Sequence, residues 1–367
     1  MSTPEQHHWP CEACGADLAF SPGQRHLTCG HCGHEQDIPE APRPDKARAL
    51  QELDLHAALA DALPASDTEE VRLVRCPSCG AETEFDGVTH AASCPFCASP
   101  VVTDTGTERH FKPQALIPFQ LAESEARAAM GRWLKGLWFA PSGLKQYARQ
   151  ERGMDGIYVP WWTFDAATRS RYSGQRGTYY YETRTRTVTV NGKRQTRNEQ
   201  VRKVRWTPVS GRVARFFDDV LVLASRSLPR RYTDALAPWG LEALTPYRPD
   251  FLSGFRAEGY TVPLDEGHGL ARQQMETMIH ADVRRAIGGD EQRIGSVHTI
   301  YSDETFKHIL LPVWMAAYRY RGKSYRFVVN GQSGKVRGER PWSVWKIGFA
   351  VLVAAALAVA VVALTEG

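Results

Sequence analysis

The sequence predicts an α+β protein in three parts: two N-terminal four-cysteine zinc ribbons, a β-rich α+β body with two related units, and one C-terminal transmembrane helix. Three observations carry this reading. All eight cysteines fall into one repeated pattern, the middle of the chain alternates apolar and polar residues between turn signals, and the C-terminus ends in an unbroken apolar run. The 367 residues are 43% hydrophobic and 23% charged, which suits a folded chain and excludes wholesale disorder. The mean hydropathy of −0.39 excludes a multi-span membrane protein. Eight cysteines are too few for a disulfide scaffold of this length.

The ribbons come first. Cys11 and Cys14 form a Cys-x2-Cys pair, followed after fourteen residues by Cys29 and Cys32. Cys76 and Cys79 are followed at the same spacing by Cys94 and Cys97, so CEACGADLAF and CPSCGAETEF repeat at a period of 65 residues. Each Cys-x2-Cys turn points two thiolates at one place, and a hairpin brings the second pair opposite. The result is the tetrahedral sulfur cage that zinc prefers, although iron is also held by such knuckles. Gly15, Gly30, Gly33 and Gly80 allow the tight turns that aim amides at the sulfurs. A closed four-coordinate site is structural, so the expected cofactor is Zn2+ at two structural sites, ribbon 1 spanning 9–37 and ribbon 2 spanning 71–104. No cysteine is left for catalysis. From Cys11 to Asp37 the acids Glu12, Asp17, Glu35 and Asp37 face Arg25 alone, and from Cys76 to Cys97 there are Glu82, Glu84 and Asp86 without a Lys or Arg. Such ribbons repel phosphate and suit protein contacts.

A linker and helix fill 38–70. Pro39 to Pro44 reads as a stiff spacer, and Leu50, Leu53, Leu59 and Leu63 predict a helix from Asp45 to Leu63. The body is expected over 110–338. Leu116-Ile117-Pro118-Phe119 leads into a helix over Glu123–Leu137, and Tyr158-Val159-Pro160-Trp161 opens a strand. Thr261-Val262-Pro263-Leu264 leads into a second helix over Gly269–Ile287, and Leu311-Pro312-Val313-Trp314 opens another strand. The repeated plan predicts the two units. Alternation from Thr178 to Val190, a turn at Asn191-Gly192 and a return over Lys193–Trp206 predict a long hairpin.

That hairpin is basic. Between Arg169 and Arg215 thirteen Lys or Arg face two acids, Glu182 and Glu199, a net +11, while the whole chain is +4 and the remainder therefore −7. Arg184, Arg186, Lys193, Arg194, Arg197, Arg202, Lys203 and Arg205 are the candidate contacts for lipid or another polyanion. Anionic headgroups, an acidic protein and nucleic acid each fit a surface of Arg, Lys and interleaved tyrosines, and a solvated ribbon with blunted edges fits it too.

At the C-terminus, Ile347 to Leu364 is eighteen residues without a polar side chain. As a helix this covers about 27 Å, close to the roughly 30 Å hydrocarbon thickness, and predicts a transmembrane span over 344–364. Lys335, Arg337, Arg340 and Lys346 precede it and no basic residue follows, which places the N-terminal bulk in the cytoplasm, tethered by its tail. The tether favours lipid as the partner of the basic hairpin. There is no Walker A loop, no GxGxxG after a strand, no GxSxG and no HExxH, so no enzyme is expected. Asp218 and Asp219 are adjacent, which on a regular strand sends them to opposite faces and rules out a metal pair.

Two four-cysteine ribbons, a body containing YVPWW, LVLAS, LTPYRPDFLSGFRAEGY and LLPVW, and a C-terminal membrane helix resemble a bacterial family of membrane-anchored double zinc-ribbon proteins. Its members are labelled TFIIB-type zinc ribbon-containing, and sometimes primosomal-helicase-like. The nucleotide-binding motifs such a helicase label requires are absent. Relatives occur beside SPFH-domain and phage-shock-type membrane-stress proteins. The resemblance implies a non-enzymatic, tail-anchored adaptor that recruits partners of that kind, with no small-molecule substrate.

Overall fold

The computed structural model describes residues 9–40, 42, 50–60, 64, 68–76, 81–84, 91–93, 96, 100–102, 105–138, 153–190, 193–320, 323–339 and 343–366. The N-terminal ribbon is a three-stranded antiparallel sheet of β1 (Leu18–Phe20), β2 (His26–Cys29) and β3 (Glu35–Asp37). A short strand β4 (Leu53–Asp54) and the helix α1 (Leu55–Leu59) follow. The next region holds β5 (Thr68–Arg75), β6 (Glu82–Glu84), β7 (Ala91–Ser93), β8 (Pro100–Val102) and β9 (Thr105–Phe111), with β5 between β6 and β9 and with β7 paired to β8.

The helix expected over Asp45–Leu63 is corrected: the described residues 50–54 are not helical. Leu53 and Asp54 instead pair with Phe306 and Thr305 of the large sheet. Asp54 then caps α1, its carboxylate accepting the Ala57 N–H at 2.7 Å. An edge of the sheet thus competes successfully with a leucine spacing that suits a helix.

The body is built on β10 (Ala115–Leu116), β11 (Asp155–Val190), β12 (Lys193–Leu223), β13 (Thr245–Pro246), β14 (Arg256–Ala257), β15 (Glu291–Tyr320), β16 (Lys323–Asn330) and β17 (Val336–Gly338). Its main path runs β12-β11-β15-β10-β13, with β14 on β11, β16 on β15, β17 on β16 and β4 on β15. Helix α2 (Glu123–Lys135) buries Ala126, Ala129, Met130 and Leu134. Helix α3 (Leu264–Ile287) starts five residues before the expected Gly269, directly after Pro263, with Asp265 and Glu266 in its first turn. Its buried residues recur every three or four positions, among them Leu264, Ala271, Met275, Ile279, Val283 and Ile287. They pack on Trp162, Phe164, Phe217 and Phe306. A Cβ on Gly267 would lie 2.6 Å from the Trp162 ring, so only glycine lets the helix pass this close.

Two sets of contacts in the body mirror one another. β10, ahead of α2, pairs in parallel with β15, Ala115 opposite Ile309; β14, ahead of α3, pairs in parallel with β11, Arg256 opposite Ile157. Trp162 in β11 donates its indole N–H to the Val262 carbonyl, two residues before α3, at 2.9 Å. Trp314 in β15 donates to the Leu121 carbonyl, two residues before α2, also at 2.9 Å. Each half lends its opening strand to the long strand of the other, and β11 and β15 run antiparallel side by side. The last helix, α4 (Val344–Glu366), is long and apolar enough to cross a membrane, and its Trp345–Val362 stretch is not buried against the rest of the molecule.

Candidate metal centre

Cys11, Cys14, Cys29 and Cys32 bring four sulfurs within 4.8 Å of one another. Cys11 Sγ lies 3.6 Å from Cys32 Sγ, and Cys14 Sγ lies 3.5 Å from Cys29 Sγ. Four sulfurs bound at about 2.3 Å around one tetrahedral centre would be about 3.8 Å apart, so the cluster has the size a metal ion needs. Both knuckles are built alike. Gly15 donates to the Cys11 carbonyl at 2.8 Å and Gly33 to the Cys29 carbonyl at 2.9 Å, with φ of 75° and 74°. Those left-handed turns are where glycine is required. Cys11 N–H then closes on Ala16 O at 2.7 Å, and Cys29 N–H on His34 O at 2.8 Å.

The electrostatics ask for a cation. The amides of Cys32 and His31 point at Cys29 and bring its thiol down to about 6. At Cys14 the Ala16 amide favours the thiolate, but the crowding of the Cys32, Cys29 and Cys11 sulfurs outweighs it and pushes that thiol up to about 12. Sulfurs this close cannot all be ionised alone; a metal at their centre removes the conflict.

The knuckles are set into the body. Phe20 N–H donates to Ser253 O at 3.0 Å, Gly23 N–H to Phe119 O at 2.9 Å, and Arg248 Nη1 to Pro39 O at 2.7 Å. The Ser253 hydroxyl donates to the Leu18 carbonyl. The Phe20 ring meets Phe251 edge-on at 5.2 Å. Cys11, Leu18, Phe20, Leu27, Cys29 and Ile38 belong to the same buried cluster as Leu116, Phe119 and Phe251. The conspicuous stretch LTPYRPDFLSGFRAEGY is thus largely a docking platform for the ribbon. In the second ribbon Cys79, Cys94 and Cys97 lie outside the described residues. Cys76 repeats the first knuckle's closure, its N–H donating to Ala81 O at 2.8 Å. Cys76, Ala81 and Phe96 are buried with Ala115 and Ile117, and Gly259 N–H reaches Glu82 O at 3.2 Å.

The basic residues sit elsewhere. β15 ends its pairing with β11 at Gly177 opposite Glu291, while β11 and β12 continue as a two-stranded arm from Thr178–Arg205 to Val190–Lys193. Thirteen paired positions give it a reach of about 43 Å. The turn at Asn191-Gly192 lies outside the described residues. Register assigns positions 184, 186, 197, 203 and 205 to one face of the arm and 202 to the other. Arg184, Arg186 and Arg197 are exposed, and Arg186 is directly opposite Arg197. Arg202 and Arg205 stack over Tyr179 and Tyr180 at 4.3 and 5.2 Å, and Lys203 pairs with Glu182. The structure therefore brings the eight candidates onto one arm but not onto one surface.

Comparison with known proteins adds a distant likeness. Over 340 residues the chain is 25% identical to the uncharacterized protein YdjG of Bacillus subtilis (strain 168), covering 92% of this chain and 91% of that one. No family model matches. No solved structure matches.

A second polar cluster has no counterpart in the sequence reading. Aligned bulges interrupt β11, β12 and β15 around Asp165, and Asp219 and Asp303 take left-handed backbone angles there, φ 52° and 53°. Glu52, Asp165 and Asp218 converge within 4.8 Å. Lys307 Nζ reaches Glu52 at 2.8 Å and Asp219 at 2.9 Å, and Asp165 accepts the Asp219 N–H at 2.7 Å. Burial first, and Glu52 second, push the Asp165 carboxyl up to about 7. Asp218 joins Glu52 and Asp165 in this group and not its neighbour Asp219; the bulges across three strands supply a clustering that alternation along one strand does not show.

Proposed function

We propose that this chain is a non-enzymatic, tail-anchored membrane scaffold of the cytoplasmic face of a bacterial inner membrane. Its two ribbons hold structural zinc, and its arm contacts anionic lipid or an acidic partner. The observation that carries the reading is the contrast between α4, wholly apolar from Ile347 to Leu364 and unburied, and a body into which the cysteine knuckles are packed. A four-sulfur cluster in which Cys11 and Cys29 are buried in the body's core supports a structural role for the metal. Lys335, Arg337, Arg340 and Lys346 on the body side of α4 support a cytoplasmic bulk. The duplicated body supports a framework presenting the arm, and the family resemblance supports partners of SPFH or phage-shock type. Nucleic acid is the second reading. The arm favours lipid over it, because the Tyr179 and Tyr180 faces that would stack on bases already carry Arg202 and Arg205.

Membrane fractionation of the full chain tests this. The wild type is expected to stay in the pellet after alkaline carbonate extraction. Ala355→Arg places a charge at mid-helix, at a cost of about 3 kcal/mol, and is expected to move a large share to the soluble fraction. A wild-type protein released by carbonate ends the anchored reading. Partners retained in mild detergent then separate an SPFH-type assembly from nucleoprotein.

A further inference from the structure

The face of β11, β12 and β15 opposite α3 lies open. Where the three strands are paired, Thr168, Ser170 and Phe217 turn toward α3, and their neighbours Arg169, Arg171 and Phe216 turn outward. On that outer face Arg171 is directly opposite Arg212 on one side and His298 on the other. Arg169 lies beside this row, with Ile300 across from it, and Phe216 is one row further on. All are exposed, Phe216 by 63% and Ile300 by 62%. From Ala167 to Gln175 and across to their partners, the face carries no acidic residue.

Like charges directly opposite one another destabilise a sheet, and cross-strand spacing of about 5 Å is well inside the Debye length, so water and salt do not erase the repulsion. The directly opposed Arg212 and Arg171, with His298 on the next strand, therefore have no internal justification. An external polyanion supplies one. Two large apolar side chains beside that row add something a nucleic-acid backbone does not use but a lipid interface does.

We propose that this open sheet face is a landing surface for an anionic lipid leaflet, Arg169, Arg171, Arg212 and His298 meeting the headgroups while Phe216 and Ile300 enter the interface beside them. The proposal rests on the anchored reading, since a tail in the same membrane holds the face near lipid at high effective concentration. It moves the lipid contact from the tip of the arm, where Arg184, Arg186 and Arg197 lie, to the arm's base.

The test uses the full chain in phosphatidylcholine nanodiscs, which occupy the tail, floated with vesicles of phosphatidylcholine with or without phosphatidylglycerol. Co-flotation is expected only with phosphatidylglycerol. Arg171→Ser with Arg212→Ser is expected to weaken it about tenfold or more while the melting temperature rises, because the opposed charges are gone. Phe216→Ser with Ile300→Ser weakens it less, and Arg184→Ser with Arg186→Ser and Arg197→Ser least. Equal flotation of the Arg171/Arg212 variant overturns the proposal. So does a DNA oligonucleotide that displaces the vesicles and depends on the same two arginines. If the chain never enters nanodiscs, the anchored reading falls, and the same flotation on the soluble protein still decides the face.

Discussion

The first ribbon and the arm are both antiparallel and rich in polar side chains, yet the molecule treats them oppositely. The ribbon is tied to the body at several points: Phe20 to Ser253, Gly23 to Phe119, Pro39 to Arg248. The arm leaves the body at Gly177, and its outer pairs bond mainly to each other. The difference teaches where each kind of chemistry does its work. The cysteine cluster is packed into the fold, whereas Arg184, Arg186 and Arg197 of the arm stand exposed.

Removing the metal is the sharpest way to break that comparison. Cys29→Ser, or chelation of the purified full chain, is expected to cost several kcal/mol and to loosen the Phe20–Phe251 region of the body together with the ribbon. Thermal melting and tryptophan fluorescence report it. Neutralising Arg184, Arg186 and Arg197 together is expected to leave the same melting curve within about 0.5 kcal/mol. A metal-free protein that melts like the wild type would mean the ribbon is a detachable module.

Gly254→Val probes the joint itself. Gly254 has φ of 82°, and a Cβ there would sit 3.0 Å from the Ala19 Cβ. A β-branched residue in that conformation is expected to cost about 1–3 kcal/mol, read from the urea midpoint, with metal still bound. A wild-type midpoint would show that the ribbon and the 253–259 segment are not in register contact.

Asp165→Asn gives a smaller effect than Gly254→Val and tests the bulge cluster. Asp165 is raised from 3.8 to about 7 by burial and then by Glu52, so between those values the folded chain binds a proton that the unfolded chain releases. That contribution is fully present below about 4 and is lost as pH rises through about 7. Glu52 is lowered, its stabilising hydrogen bonds from Asp165, Lys307 and Thr305 opposing its burial, and it slopes the other way, favouring the fold above its unfolded value. Asparagine keeps a hydrogen toward Glu52 at every pH. The variant is expected to be more stable than the wild type at pH about 8, on the order of 1 kcal/mol, and nearly equal at pH about 4. Urea midpoints at the two values check it.

Parts of this were legible in the sequence for a physical reason. Cys-x2-Cys spacing encodes a knuckle within four residues, α3 shows its buried face at steps of three or four, and alternation around 178–206 encodes a hairpin. Leu50 to Asp54 misled because leucine spacing reports an apolar face without saying what covers it; the edge of β15 does. The meeting of Asp218 with Glu52 and Asp165 was not legible because a bulge is a property of three strands paired together, invisible along any one of them.

The amino-acid order alone determined the sulfur knuckles, the apolar tail and the excess of positive charge on one hairpin, since each is set by side chains close together in the chain. Tertiary structure alone decided that the first ribbon is docked on Ser253 and Phe119, and that Glu52 meets Asp165 across more than a hundred residues. It also decided that Arg171 stands between Arg212 and His298. Those meetings depend on strand register and on which halves exchange their opening strands. Contacts between distant segments form only when the whole sheet closes, so no local pattern records them.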